Sequence, residues 1–76
     1  MDIRSLIVKA LRKKYEADMA IAKANINIYL KNSAGIGDHS DIIETIDKEV
    51  TKLADAEDKL SSLQAHFGAI WPNEER

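Results

Sequence analysis

NSAGIGDHSD (residues 32–41) is the stretch that interrupts the helical patterning of this chain, and it therefore decides the fold. Gly35 and Gly37 permit the positive φ angles that a chain reversal needs. Asp38 and Asp41 are residues that commonly cap the start of a following helix. The composition of this stretch predicts a Gly-rich turn over residues 32–40.

Long helices are predicted on both sides of the turn. Residues 2–31 contain neither Gly nor Pro and are rich in helix-forming residues, with Asp2 as the candidate cap. A second helix is predicted over 41–67, with Gly68 as its stop signal and a C-terminal tail over 68–76. The expected fold is all-α: an antiparallel, coiled-coil-like two-helix hairpin forming a single domain, 1–76.

Length and composition favour a partner for this hairpin. A chain of 76 residues without cysteine hides only about 60–65% of its unfolded surface and has no disulfide to reinforce it. No stretch reaches the roughly 18 apolar residues of a membrane helix, and Asp2, Arg4 and Lys9 interrupt any signal-peptide core. We expect a cytoplasmic protein that does not enter membranes.

Charge is distributed unevenly between the two halves. Residues 1–32 hold seven basic and three acidic side chains, a net of +4, whereas residues 33–76 hold four and ten, a net of −6. Opposite charge on the halves favours two helices that fold against each other over a nucleic-acid surface.

The second helix carries one apolar seam at heptad spacing, with two polar intruders. Its members are Ile43, Ile46, Val50, Leu53, Glu57, Leu60, Gln64 and Phe67. The hairpin core predicted from this seam and its counterpart on helix one consists of Val8, Leu11, Tyr15, Ala22, Ile26, Tyr29, Ile43, Ile46, Val50, Leu53, Leu60 and Phe67.

The first helix carries a second apolar seam that one antiparallel partner cannot cover. Its members are Ile3, Leu6, Ala10, Ala17, Ile21, Ala24 and Ile28. We expect this seam to be an interface with another chain, most simply in a homodimeric four-helix bundle.

Three polar residues are predicted to fix register. Folding about Ile36 places positions that sum to roughly 72 opposite each other, which brings Lys14 or the Tyr15 hydroxyl within reach of Glu57. A carboxylate in the seam needs such a partner, because burying it alone is costly. Asn25 is a second candidate, for the register of the chain-to-chain seam.

The turn offers little chemistry beyond chain reversal. Its Gly-x-Gly lacks the preceding strand and the GK[ST] ending of a phosphate loop. Asp38, His39 and Asp41 make only an incomplete metal shell, and no nucleophile has a base at helical spacing. We expect no enzymatic activity, no metal and no cofactor.

A basic face on helix one is the alternative functional surface. Arg4, Lys9, Arg12 and Lys13 could contact a phosphate backbone if the chain were a nucleic-acid-associated helical dimer. A surface that binds single-stranded nucleic acid usually has exposed aromatic residues between its basic residues, because aromatic rings stack on nucleotides. This pattern lacks them. A solvated face paired with the acidic second helix is the preferred interpretation.

NSAGIGDHSDI (residues 32–42) followed by DKEVTKLADAEDKL (residues 47–60) resembles short uncharacterised helical proteins of marine T4-like tailed phages, particularly cyanophages. The resemblance implies a phage protein of the host cytoplasm or virion, with an accessory, assembly or minor structural role. It assigns a role to no residue. Together with the second seam, it leads us to expect a protein–protein interaction module that self-associates or binds a larger protein.

Overall fold

The computed structural model of the protein describes residues 2–31 and 41–71 and shows two long helices that pack into an antiparallel hairpin. Helix α1 is Ile3–Lys31 and helix α2 is Ile42–Phe67, followed by a 3-10 helix at Gly68–Ile70. The molecule measures 49 × 22 × 17 Å, which is the size of two helices side by side. The predicted all-α hairpin is confirmed, and the predicted turn 32–40 lies outside the described residues.

Helix α1 begins with the cap that the sequence predicts. The backbone N–H of Ser5 donates a 2.9 Å hydrogen bond to the Asp2 carboxylate, which satisfies one of the four unpaired N–H groups of the first turn. Helix α2 begins differently, because Asp41 occupies the cap position but its side chain makes no capping hydrogen bond. Asp41, one of the two predicted caps, therefore does not cap α2 through its side chain, and Asp38, the other, lies outside the described residues.

The C-terminal end of α2 does not stop at a left-handed glycine. Gly68 has φ −62° and ψ −24°, so it continues as the first residue of a 3-10 turn. The chain leaves helical geometry at Trp71, whose ψ is 123° and whose N–H donates to the Gly68 carbonyl at 3.0 Å. Trp71 precedes Pro72 in the sequence, and a residue before proline is disfavoured in the helical region. The α-helix therefore ends at Phe67 with Gly68 as its C-cap, as predicted, and the 3-10 turn that follows ends at the residue before the proline.

The interior of the hairpin is one side chain deep. Four apolar residues are buried, namely Val8, Ala22, Ala56 and Leu63, and no large side chain of the described segments is fully enclosed. Most of the predicted core residues of both helices are half-buried: Leu11, Tyr15, Ile26, Tyr29, Ile46, Leu53 and Leu60. Two small residues at the centre, Ala22 and Ala56, allow the helix backbones to approach closely.

The packed face of α2 is rotated by one residue from the predicted seam. Ile43, Val50 and Phe67 were predicted in the core, and this is wrong, because they are 75%, 45% and 54% exposed. Residues one position away from predicted members are inside, and the observed seam is Ile42, Ile46, Glu49, Leu53, Ala56, Leu60 and Leu63. The observed seam places one polar residue, Glu49, against α1, whereas the predicted seam would place two, Glu57 and Gln64. Fewer polar groups then lose water.

The register of the hairpin follows from two side-chain contacts. Asn25 hydrogen-bonds to Glu49, and the Lys59 ammonium lies 5.9 Å from the centre of the Tyr15 ring. Both pairs sum to 74, close to the predicted sum of about 72. At the end of the hairpin, the Arg12 guanidinium carbon lies 5.2 Å from the centre of the Trp71 ring, so the segment after α2 folds back onto α1.

Candidate protein-interaction face

The seam predicted to bind another chain is uncovered by its own hairpin. Its large side chains, Ile3, Leu6, Ile21 and Ile28, are 65%, 46%, 60% and 58% exposed. The three alanines between them, Ala10, Ala17 and Ala24, are exposed as well. Helix α1 therefore places one apolar face against α2 and a second apolar face in water.

The exposed seam extends further than the sequence prediction. Ile7 is 52% exposed and lies at heptad spacing with its members. Leu6 lies beside Ile7, at the edge of this line. With Ile7 and Lys14 included, the remaining positions alternate steps of four and three: Ile3, Ile7, Ala10, Lys14, Ala17, Ile21, Ala24 and Ile28. We call this set the α1 face. A sustained alternation of this kind is the pattern by which one helix packs along another.

Two shallow grooves between the helices adjoin the α1 face. One, of about 300 Å³, is bounded on α1 by Ile21 and on α2 by Lys52 and Lys59. The other, of about 260 Å³, lies near the end of the hairpin and is bounded by Ile7, Leu11 and Leu63. Because Ile7 and Ile21 line the grooves, the uncovered apolar surface continues from the exposed side of α1 towards α2.

A buried carboxylate lies at the base of the larger groove. Glu49 is 7% exposed, and its two oxygens accept hydrogen bonds of 3.2 Å from the Asn25 amide and the Lys52 ammonium. The Asn25 hydrogen bond is the main cause that lowers the pKa of Glu49, and the hydrogen bond and charge of Lys52 add to it, whereas desolvation opposes them. The carboxylate is thus held ionised, and it fixes α1 and α2 at one level.

The polar residues that fix register differ from those predicted. Glu57 is exposed, and Lys14 pairs with Asp18 on its own helix at 3.1 Å, so the predicted contact between Lys14 and Glu57 is wrong. Asn25, predicted to set the chain-to-chain seam, instead bonds to Glu49 within the hairpin. Sequence reasoning missed Glu49, although a count of polar residues in the two neighbouring seams of α2 favours the one that contains it.

The basic face does not present its four residues together. Arg12 was predicted as a possible phosphate contact, but it is 7% exposed and lies against the Trp71 ring. It is therefore not available to a phosphate backbone. Arg4 and Lys13 are exposed and Lys9 is half-buried. The sequence pattern predicted a solvated face and gave no sign that the Arg12 guanidinium is buried.

The chemistry considered for the turn falls largely outside the described residues, since Asp38 and His39 belong to segment 32–40. Asp41 is exposed. Within 2–31 and 41–71, no group of three or more acidic, His or Cys side chains is placed to hold a metal ion. In the same ranges, neither helix is long and apolar enough to cross a membrane.

Comparison with other proteins adds no relative to this picture. Protein-family models, curated proteins and solved structures were each compared with the chain, and none matches. The α1 face is therefore the feature that indicates a function.

Proposed function

We propose that this protein is a small, non-enzymatic protein–protein interaction module whose binding surface is the α1 face. The observation that carries the proposal is the exposure of Ile3, Ile21 and Ile28, each at least 58% accessible, along one line of a single helix. Scattered exposed apolar side chains are ordinary, but a contiguous apolar stripe at heptad spacing is typical of a surface that binds another protein. The simplest assembly is a homodimer that forms a four-helix bundle.

The thin interior supports this proposal independently. The four apolar residues that are buried within 2–31 and 41–71 provide little hydrophobic stabilisation for a chain of this length, and the sequence contains no cysteine for a disulfide. Association would remove more apolar surface from water, at roughly 25 cal/mol per Å². The resemblance to phage proteins makes an accessory or minor structural role, in the host cytoplasm or virion, part of the same proposal.

Native mass measurement with a matched pair of variants tests the proposal. Ile21→Asp places a carboxylate in the α1 face, whereas Ile43→Asp makes the same change at an exposed isoleucine of α2. We expect a dimer at micromolar concentration that Ile21→Asp dissociates and Ile43→Asp leaves intact, with a melting temperature that rises with protein concentration. A wild-type chain that stays monomeric and melts at one temperature at every concentration contradicts the homodimer and leaves a larger protein as the partner.

A further inference from the structure

We infer that the occupant of the α1 face is the α1 helix of a second copy, aligned antiparallel, with a two-fold axis between Lys14 and Ala17. The inference rests on the proposed function and names the partner and its orientation. In this arrangement, positions that sum to 31 lie opposite each other. The order of large, small and charged side chains along the face favours this arrangement.

The large and small residues of the face are complementary under reversal. In an antiparallel pair, each residue of one heptad position faces a residue of the other position on the partner helix. The resulting layers join Ile7 to Ala24 and Ala10 to Ile21, so that each exposed isoleucine in them faces an alanine of the second copy. Ile3 and Ile28 close the two ends. Alternating large and small residues in this way fills the space between helices without voids.

A parallel pair lacks this complementarity. Each residue would then face its own copy, and Ala10, Ala17 and Ala24 would form three layers of alanine against alanine. The flanking isoleucine layers would hold the helices apart and leave cavities at the alanines. Lys14 would also face Lys14, so two ammonium groups would lie opposite each other.

Charge complementarity favours the antiparallel pair as well. Lys14 and Asp18 form a 3.1 Å ion pair on one edge of the face, with side chains 64% and 41% exposed. Reversal about the proposed axis places Asp18 within about 1.5 Å, along the helix axis, of the level of Lys14 in the second copy. The four charges around the axis would then alternate between positive and negative, with one ion pair inside each chain and two ion pairs between the chains. In the dimer, the long stem of Lys14 would lie along the apolar surface of the second copy while its ammonium reaches this edge.

Disulfide trapping tests the orientation. The sequence contains no cysteine, so an Ile7→Cys variant and an Ala24→Cys variant each carry one thiol. The two variants are mixed at equal concentration, oxidised with air, and separated by mass, with helical circular dichroism as a control for folding. We expect the mixed disulfide between position 7 of one chain and position 24 of the other to exceed both same-variant disulfides by about ten-fold, because only the 7–24 pair meets the geometry of the bond.

The outcomes separate this inference from the proposed function. A dominant 24–24 disulfide shows a parallel pair and overturns the inference while the interaction module stands. A dimer by native mass that yields no disulfide in the mixture places the contact on another register or face, and this also overturns it. A monomer in the native mass measurement overturns the inference and the homodimer, and it leaves a larger protein as the partner of the α1 face.

Charge reversal provides a second measurement. Lys14→Glu would place a carboxylate beside Asp18 of the second copy, and we expect the dissociation constant to rise by roughly five-fold. The double variant Lys14→Glu/Asp18→Lys restores opposite charges both within and between chains and should return the constant to the wild-type value. An unchanged dissociation constant in Lys14→Glu would show that these groups do not meet across the axis.

Discussion

The Asn25 side-chain amide donates a 3.2 Å hydrogen bond to Glu49, which lies 24 positions later in the chain and on the opposite helix. Lys52, one turn further along α2, donates to the other oxygen of the same carboxylate. A half-buried amide and a buried carboxylate are therefore matched at one level of an otherwise apolar contact. A slip of the helices by one residue would separate them and leave a carboxylate without a partner on α1.

Lowering the pH should weaken the hairpin through Glu49. The pKa of this carboxyl is lower in the folded chain than its usual value of 4.5. Its stabilisation is consequently complete above about pH 4.5 and is lost as the pH falls through the folded-state pKa. We expect the melting temperature of the wild-type protein to fall more, between neutral pH and about pH 3, than that of Glu49→Gln.

Glu57→Gln provides the control for this measurement, since Glu57 is an exposed glutamate of the same helix. It should keep the wild-type acid sensitivity. All melts are compared at one protein concentration, because association contributes to apparent stability. Equal acid sensitivity in Glu49→Gln and the wild-type protein would show that the Asn25 contact does not stabilise the fold.

Enlarging the central alanine of α2 should destabilise the hairpin. Ala56 is 3% exposed, and a leucine there must displace α1, whereas Ala54 on the same helix is exposed. We expect Ala56→Leu to lower the free energy of unfolding by about 1–3 kcal/mol, and Ala54→Leu to change it by less than about 0.5 kcal/mol. Urea unfolding followed by circular dichroism measures both. The reverse order would mean that a face of α2 other than the observed seam packs against α1.

Replacing Gly68 should stabilise the chain. Its φ of −62° suits any L-residue, and an added Cβ would meet only the Cγ of Gln64, at 3.9 Å. Gly68→Ala is expected to raise the free energy of unfolding by about 0.4–1 kcal/mol, since it restricts the unfolded chain without strain. Gly68→Asn, which favours the left-handed region, should gain less than Gly68→Ala. A loss of stability in Gly68→Ala with a gain in Gly68→Asn would indicate a left-handed cap instead.

The contact between Arg12 and Trp71 should couple the end of the chain to α1. A guanidinium 5.2 Å from an indole centre is within the range of a cation–π interaction. A double-mutant cycle with Arg12→Met and Trp71→Leu should yield a coupling energy of about 0.5–2 kcal/mol. The same cycle with Lys13→Met, at an exposed neighbour, should yield a value near zero. A coupling energy of equal size in both cycles would show that Arg12 does not interact specifically with Trp71.

Periodicity predicted the elements of this fold well because long helices have strong local signals. An uninterrupted run of helix formers predicted α1, and both helices end within one residue of the predicted bounds. The exposed side of α1 was also evident in the sequence, since two apolar seams on one helix exceed what a single partner can cover. The exposure of Ile3, Ile21 and Ile28 agrees with that expectation.

The rotation of α2 was harder to predict because two adjacent seams share Ile46, Leu53 and Leu60. A shift of one residue exchanges Val50 for Glu49, which looks unfavourable until the amide of Asn25 is placed opposite it. Contacts between distant residues of this kind decide such a choice, and local periodicity does not contain them. The burial of Arg12 depends in the same way on Trp71, which lies 59 positions away in the chain.

An interior only one side chain deep also determines how the backbone exchanges its amide hydrogens with the solvent. Small fluctuations of one helix suffice to wet the space between Ala22 and Ala56, so exchange in an isolated chain needs no global unfolding. Protection should be greatest beside these two alanines and should decline towards both ends of the rod. Coverage of the open side of α1 by a neighbour would slow exchange along that whole helix, while α2 would change less.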